Sequence, residues 1–128
     1  MTAEQRWALV HRARPFTENE LRKHHWTWRA ARTREWRQAF YVLAKEEKVP
    51  HLERARIAVT HYFTTNVPDA AACLPAAKAA IDGLVDAGVL DDDGPDHVIE
   101  TSFGVVRMPS VWKKPGVTAA LGIVVVAA

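Results

Sequence analysis

Cysteine is almost missing from this chain. Cys73 is the only one in 128 residues, which rules out an intramolecular disulfide and a CxxC zinc or redox pair and suits a reducing cytoplasm. Glycine is scarce too, with six in all, and none falls in a loop that could cradle phosphate. No serine occupies a nucleophile elbow, so nucleotide triphosphate hydrolysis and acyl transfer have no sequence basis. Long apolar runs are also wanting. The C-terminal GVTAALGIVVVAA is much shorter than the roughly 20 residues of a membrane helix, and its β-branched content reads as a strand. The N-terminal MTAEQRWALVHRARP carries charge where a signal peptide must be apolar, so the expectation is a soluble cytoplasmic protein with no membrane partner.

What is present is unevenly spread. Residues 1–60 hold 13 Lys or Arg against 7 Asp or Glu, and residues 61–128 hold 4 against 8, so the halves carry about +6 and −4 within a net charge of +2. Such a division suits a polyanion gripped by one region and processed in another. It suits a solvated charged helix equally well.

The chain reads as one domain spanning residues 1–128, long enough to bury roughly two thirds of its unfolded surface. Arg6 to His11 reads as a strand, and PFTENE as a turn closing at Asn19. From about Arg29 to Lys48, Thr33, Trp36, Phe40 and Leu43 recur at helical spacing, and Pro50 ends the run. Ile57, Val59, His61 and Phe63 alternate as a strand does, and a turn at Pro68 leads to Asp69. A second helix is predicted to start near Pro75, to bury Ala77, Ile81 and Leu84, and to stop at Gly88 in a left-handed conformation. Two more alternating segments follow, around Ile99 to Val105 and Val117 to Val125. The order strand, helix, strand, helix, strand, strand predicts an α+β fold with two main helices packed on a mixed β-sheet.

Asp91, Asp92 and Asp93 stand at the junction between that second helix and the next strand. Carboxylates converging from different elements can hold magnesium, which neutralises phosphate charge and activates water; Asp69, Asp92 and Asp93 are the natural set. The plain alternative is a solvated turn. An EF-hand fails because Val89 would hold the first ligand position and a strand follows in place of an exiting helix. Lys78 and Asp82 are four residues apart, which allows an exposed ion pair of about 0.3–0.5 kcal/mol or a lysine that stabilises charge on a phosphate. His25 and Trp26, with Arg29, Arg32, Arg34 and Arg37, could grip a nucleic-acid backbone and stack on an unpaired base. Adjacent His24 and His25 make a poor zinc pair, and Trp36 reads as core.

PFTENE followed by HHW, the helix RAARTREWRQAF, the strand RARIAVTHYF and above all PAAKAAIDGLVDAGVLDDDGPDHV together resemble the RusA-type Holliday junction resolvases, in particular divergent versions common in actinobacterial phages. The resemblance covers most of the chain. It implies a small homodimeric α+β endonuclease, phage- or prophage-encoded and acting in the bacterial cytoplasm, that binds four-way DNA junctions and cuts phosphodiesters with magnesium, manganese being an alternative cation. It further implies metal-binding carboxylates at Asp69 and Asp93, with Lys78 assisting. The chain departs from the family pattern where an Asp-x-Asp-Asn run would lie over Asp69, Ala70, Ala71 and Ala72. Asp92 or Asp91 could replace the missing carboxylate, or the protein could bind branched DNA with little or no cleavage.

Overall fold

Val, Ile and Ala crowd the last strand because it lies in the interior of the sheet with its inward face wholly buried. The computed structural model describes residues 4–65, 69–112 and 114–128. In chain order its main elements are β1 (Arg6–His11), α1 (Glu18–Lys23), α2 (Trp26–Glu46), β2 (Ala55–Phe63), α3 (Leu74–Asp86), β3 (Val98–Arg107) and β4 (Ala119–Ala127). The four strands form one sheet in the order β1-β4-β2-β3. β4 runs antiparallel to both β1 and β2, whereas β3 lies parallel to β2. The parallel pair is the one joined through α3, as a crossover connection requires. The α+β domain with a mixed sheet expected from the sequence is thus what the chain forms.

All the large packing lies on one side of the sheet. Leu9 of β1, Ile57 and Val59 of β2, and Leu121, Ile123 and Val125 of β4 share a core with Trp36 and Phe40 of α2 and Leu84 of α3. These strand residues are odd-numbered, and the period of two places them on a single face. Both long helices therefore cover that face. α3 is buried on all but one stripe, that of Leu74, Lys78 and Asp86, because it lies against α2 as well as the sheet. Its alanines permit this, and Gly83 requires it: a Cβ there would stand 2.3 Å from the Arg37 carbonyl oxygen.

Local signals account for most boundaries. Pro75 lies in the first turn of α3, and Gly88 beyond its end adopts φ +83°, the left-handed conformation glycine takes without penalty. α2 begins at Trp26, three residues before the expected start, with the His25 ring accepting from the Thr27 amide. It ends at Glu46, ahead of Pro50, and Lys48 takes up the left-handed conformation at φ 55°. The PFTENE segment is more than a turn. Thr17 and Glu20 form a capping box that starts the short helix α1, because each side chain satisfies an amide that would otherwise lack a partner. The turn expected at Pro68 lies outside the described residues.

Candidate functional site

The acidic turn after α3 is anchored from below. Val89 and Leu90 are fully buried, the Leu52 amide donates to the Val89 carbonyl at 2.7 Å, and Val98 at the start of β3 packs on the core. Between these anchors the three carboxylates are held outward and go to different partners. Asp91 lies 3.0 Å from His51 Nε2. Asp92 turns back and accepts from the Asp93 amide at 2.8 Å. Asp93 pairs with the Lys78 ammonium of α3.

Lys78 is the centre of this group. Its Nζ donates to Asp82 Oδ1 at 2.9 Å and also to Asp93, so one ammonium bridges its own helix and the acidic turn. Hydrogen bonds to Asp82 and Asp93, in that order of weight, push its pKa above the ordinary lysine value, and the Lys78 ammonium in turn holds Asp93 below the usual carboxylate range. Lys78 is consequently a fixed positive charge and not a base. More than half of its side chain remains exposed. Both groups line a cavity of about 250 Å³ between α3 and β3, walled by Leu74, Ile81, Val98 and Phe103. The i, i+4 pair expected from spacing is present, and the turn supplies a second carboxylate that spacing alone does not reveal.

Asp69 lies elsewhere. Its carboxylate accepts from the Ala71 amide at 3.1 Å and caps the short 3-10 turn Ala70–Cys73 that leads into α3. It lines a separate cavity with Thr17, Asn19 and Arg22. Among the described residues no group of three or more His, Cys, Asp or Glu side chains is placed to hold a metal ion. Magnesium commonly uses only one or two protein carboxylates and completes its octahedron with water and substrate phosphate. Asp92 and Asp93 are adjacent in the turn and both at least partly exposed, and each already has a partner, the Asp93 amide and the Lys78 ammonium respectively. Asp69 as placed does not line the cavity of Lys78 and Asp93.

The basic residues divide into engaged and free. Arg37 grips Asp86 of α3 with two hydrogen bonds, one of them 2.8 Å, and so couples the helices. Arg32 pairs with Glu35 at 2.7 Å and reaches the Arg14 carbonyl. Arg29 and Arg34 are exposed and make no ion pair among the described residues. At the α1–α2 corner the exposed Trp26, 62% accessible, has His25 beside it with ring centroids 5.5 Å apart. Next to them His24 stacks on Trp28 at 4.0 Å. Exposed Arg22 and Lys23 complete the corner. These two were not singled out in the sequence; the capping box at Thr17–Glu20 is the signal that would have placed them at the end of a helix, beside Trp26.

No protein-family model and no curated protein matches this chain.

Proposed function

We propose that the protein is a structure-selective endonuclease for branched DNA, working with magnesium or manganese. The observation that carries the reading is the Lys78 ammonium held between Asp82 and Asp93 at the mouth of an open cavity, a fixed cation and a carboxylate side by side where a phosphate could approach. Resemblance to RusA-type resolvases supplies the substrate class, branched DNA such as a four-way junction.

Each residue has a derivable task. Lys78, permanently charged, offers its N–H donors to a phosphoryl oxygen and stabilises the negative charge that grows on it in the transition state. Asp93, held ionised by that same lysine, and its neighbour Asp92 would hold the cation. When bound, magnesium supplies charge neutralisation and a more acidic water. Trp26 and His25 present faces for an unpaired base, and Arg29 and Arg34, with Arg22 and Lys23, hold the sugar–phosphate backbone. Arg32 and Arg37 contribute by bracing α2 against its neighbours more than by direct contact.

A second reading, a branched-DNA-binding protein that cuts slowly or not at all, is favoured by Asp69 standing in a different cavity and by alanine at positions 71 and 72. The experiment that separates them is nicking of a labelled synthetic four-way junction against linear duplex with magnesium or manganese, for wild type and Ala71→Asp. Junction-selective nicking by wild type supports the nuclease. Tight junction binding without nicking, with activity gained in Ala71→Asp, establishes the binding module. Equal, weak affinity for junction and duplex would reject both.

A further inference from the structure

One edge of the sheet is left open. β3 pairs with β2 alone, and all of its residues but Val98 and Val105 are exposed. The Met108 amide donates to the Phe63 carbonyl at 2.8 Å, which fixes the phase of the ladder. N–H and C=O groups alternate sides along a strand, so those of Ser102, Gly104 and Val106 point toward β2. Those of Thr101, Phe103, Val105 and Arg107 point away from the sheet. Natural edges are blunted by charge or proline, yet from Thr101 to Val106 this one has neither.

The edge is also apolar and has a groove beside it. Seven large apolar side chains are exposed among the described residues, and four of them, Leu74, Ile99, Phe103 and Val106, lie on β3 or at the start of α3. Such a concentration marks an interaction surface. Thr101 and Phe103 pair with Ile57 and Val59 and so share the helix side of the sheet, where with Leu74 and Ile81 of α3 they wall the cavity of about 250 Å³. A strand added to β3 would direct every second side chain toward that space.

Hydrogen bonding and charge select the occupant. Alternating donors and acceptors match a polypeptide, whereas a phosphate backbone only accepts. Residues 79–106 hold seven carboxylates and no Lys or Arg. Lys78 pairs with Asp82 and Asp93, Arg37 with Asp86 and Arg56 with Glu100. Asp92 and Asp96, exposed in the turn that leads into β3, have no ion pair among the described residues. The β3 edge of a second copy would bring the same carboxylates and only Arg107 in return. We propose that β3 receives an extended segment of another protein as a fifth strand, with an apolar side chain seated between α3 and β3 and a lysine or arginine facing Asp92 and Asp96. The inference rests on the sheet edge and its groove, not on the nuclease reading; a segment so placed covers Lys78 and Asp93.

A fluorescein-labelled decapeptide of alternating valine and lysine tests it, titrated into the full chain in metal-free buffer without nucleic acid. Failure there leaves the nuclease reading untouched. Binding should be saturable by anisotropy, and hydrogen exchange followed by NMR should slow at the Thr101, Phe103, Val105 and Arg107 amides while Ser102 and Gly104, already bonded to β2, change little. Replacing every lysine of the peptide by glutamate should weaken binding at least about tenfold. Thr101→Pro removes an outward N–H and keeps the ladder to β2, and should weaken binding about tenfold, with far-UV circular dichroism to show folding. Should proline disturb the strand, exposed Asp96→Lys carries the test, with a loss of about threefold. Absence of binding overturns the inference. So does binding that leaves those four amides unprotected, equal binding of the glutamate peptide, or protection of the same amides in peptide-free protein as its concentration rises, which would give the edge to a second copy.

Discussion

Gly83 shows how much one missing methyl decides. Its Cα lies against the α2 backbone, and an added Cβ would stand 2.3 Å from the Arg37 oxygen and 3.1 Å from the Tyr41 nitrogen, atoms that cannot rotate away. Gly83→Ala should therefore lower the urea midpoint by the equivalent of about 1–3 kcal/mol or more, although alanine is the better helix former. Unchanged stability would mean that the helices are farther apart. His61 gives the second prediction at this scale. It is almost fully buried, its Nδ1 has no hydrogen-bond partner, and burial holds its pKa below the ordinary histidine value. The neutral ring is thus favoured in the folded state and the protonated ring in the unfolded one. Its stabilising contribution is complete above about pH 6.5 and falls away as the pH drops below that toward the folded-state pKa. His61→Phe should flatten this part of the stability-versus-pH curve. Of the individual site residues, Trp36 as core and Lys78 with Asp82 as an i, i+4 pair follow from helical spacing. The bond from Lys78 to Asp93 and that from Arg37 to Asp86 join residues far apart in sequence and have no local signature.

At the scale of elements, the helices and strands were legible because apolar periodicity, Pro75 and Gly88 act locally. α1 was not, although Thr17 and Glu20 form a recognisable capping box; a six-residue helix with no buried residue leaves no periodic apolar trace. The acidic turn illustrates the opposite limit. Three adjacent aspartates read as one cluster, yet successive residues of a turn point in different directions, and the structure hands each to its own partner. Arg37 couples α2 to α3 across the Asp86 pair, but both side chains are substantially exposed. Arg37→Ala should consequently cost no more than about 1 kcal/mol, measurable by urea unfolding, and that small cost should shrink further in high salt.

For the molecule as a whole, the testable quantity is how its exposed cations respond to salt. Arg22, Lys23, Arg29 and Arg34, four of the cations with no ion pair among the described residues, belong to the two N-terminal helices. If those four contact phosphates, the logarithm of DNA affinity should fall with the logarithm of salt concentration with a slope of about −3 to −4. Trp26→Ala should weaken binding to junctions or single strands by about 1–3 kcal/mol and leave duplex affinity nearly unchanged. Equal losses on both substrates in a fluorescence anisotropy titration would assign Trp26 to the backbone and not to an unpaired base. No described helix is long and apolar enough to cross a membrane.

The most direct test is the single-turnover nicking rate of a four-way junction in magnesium, with junction affinity measured alongside, for wild type and Asp93→Asn. The nuclease reading predicts that wild type nicks the junction and that Asp93→Asn loses about 100-fold or more in rate while still binding it. Nicking that proceeds undiminished in Asp93→Asn would contradict the role assigned to the Lys78–Asp93 site.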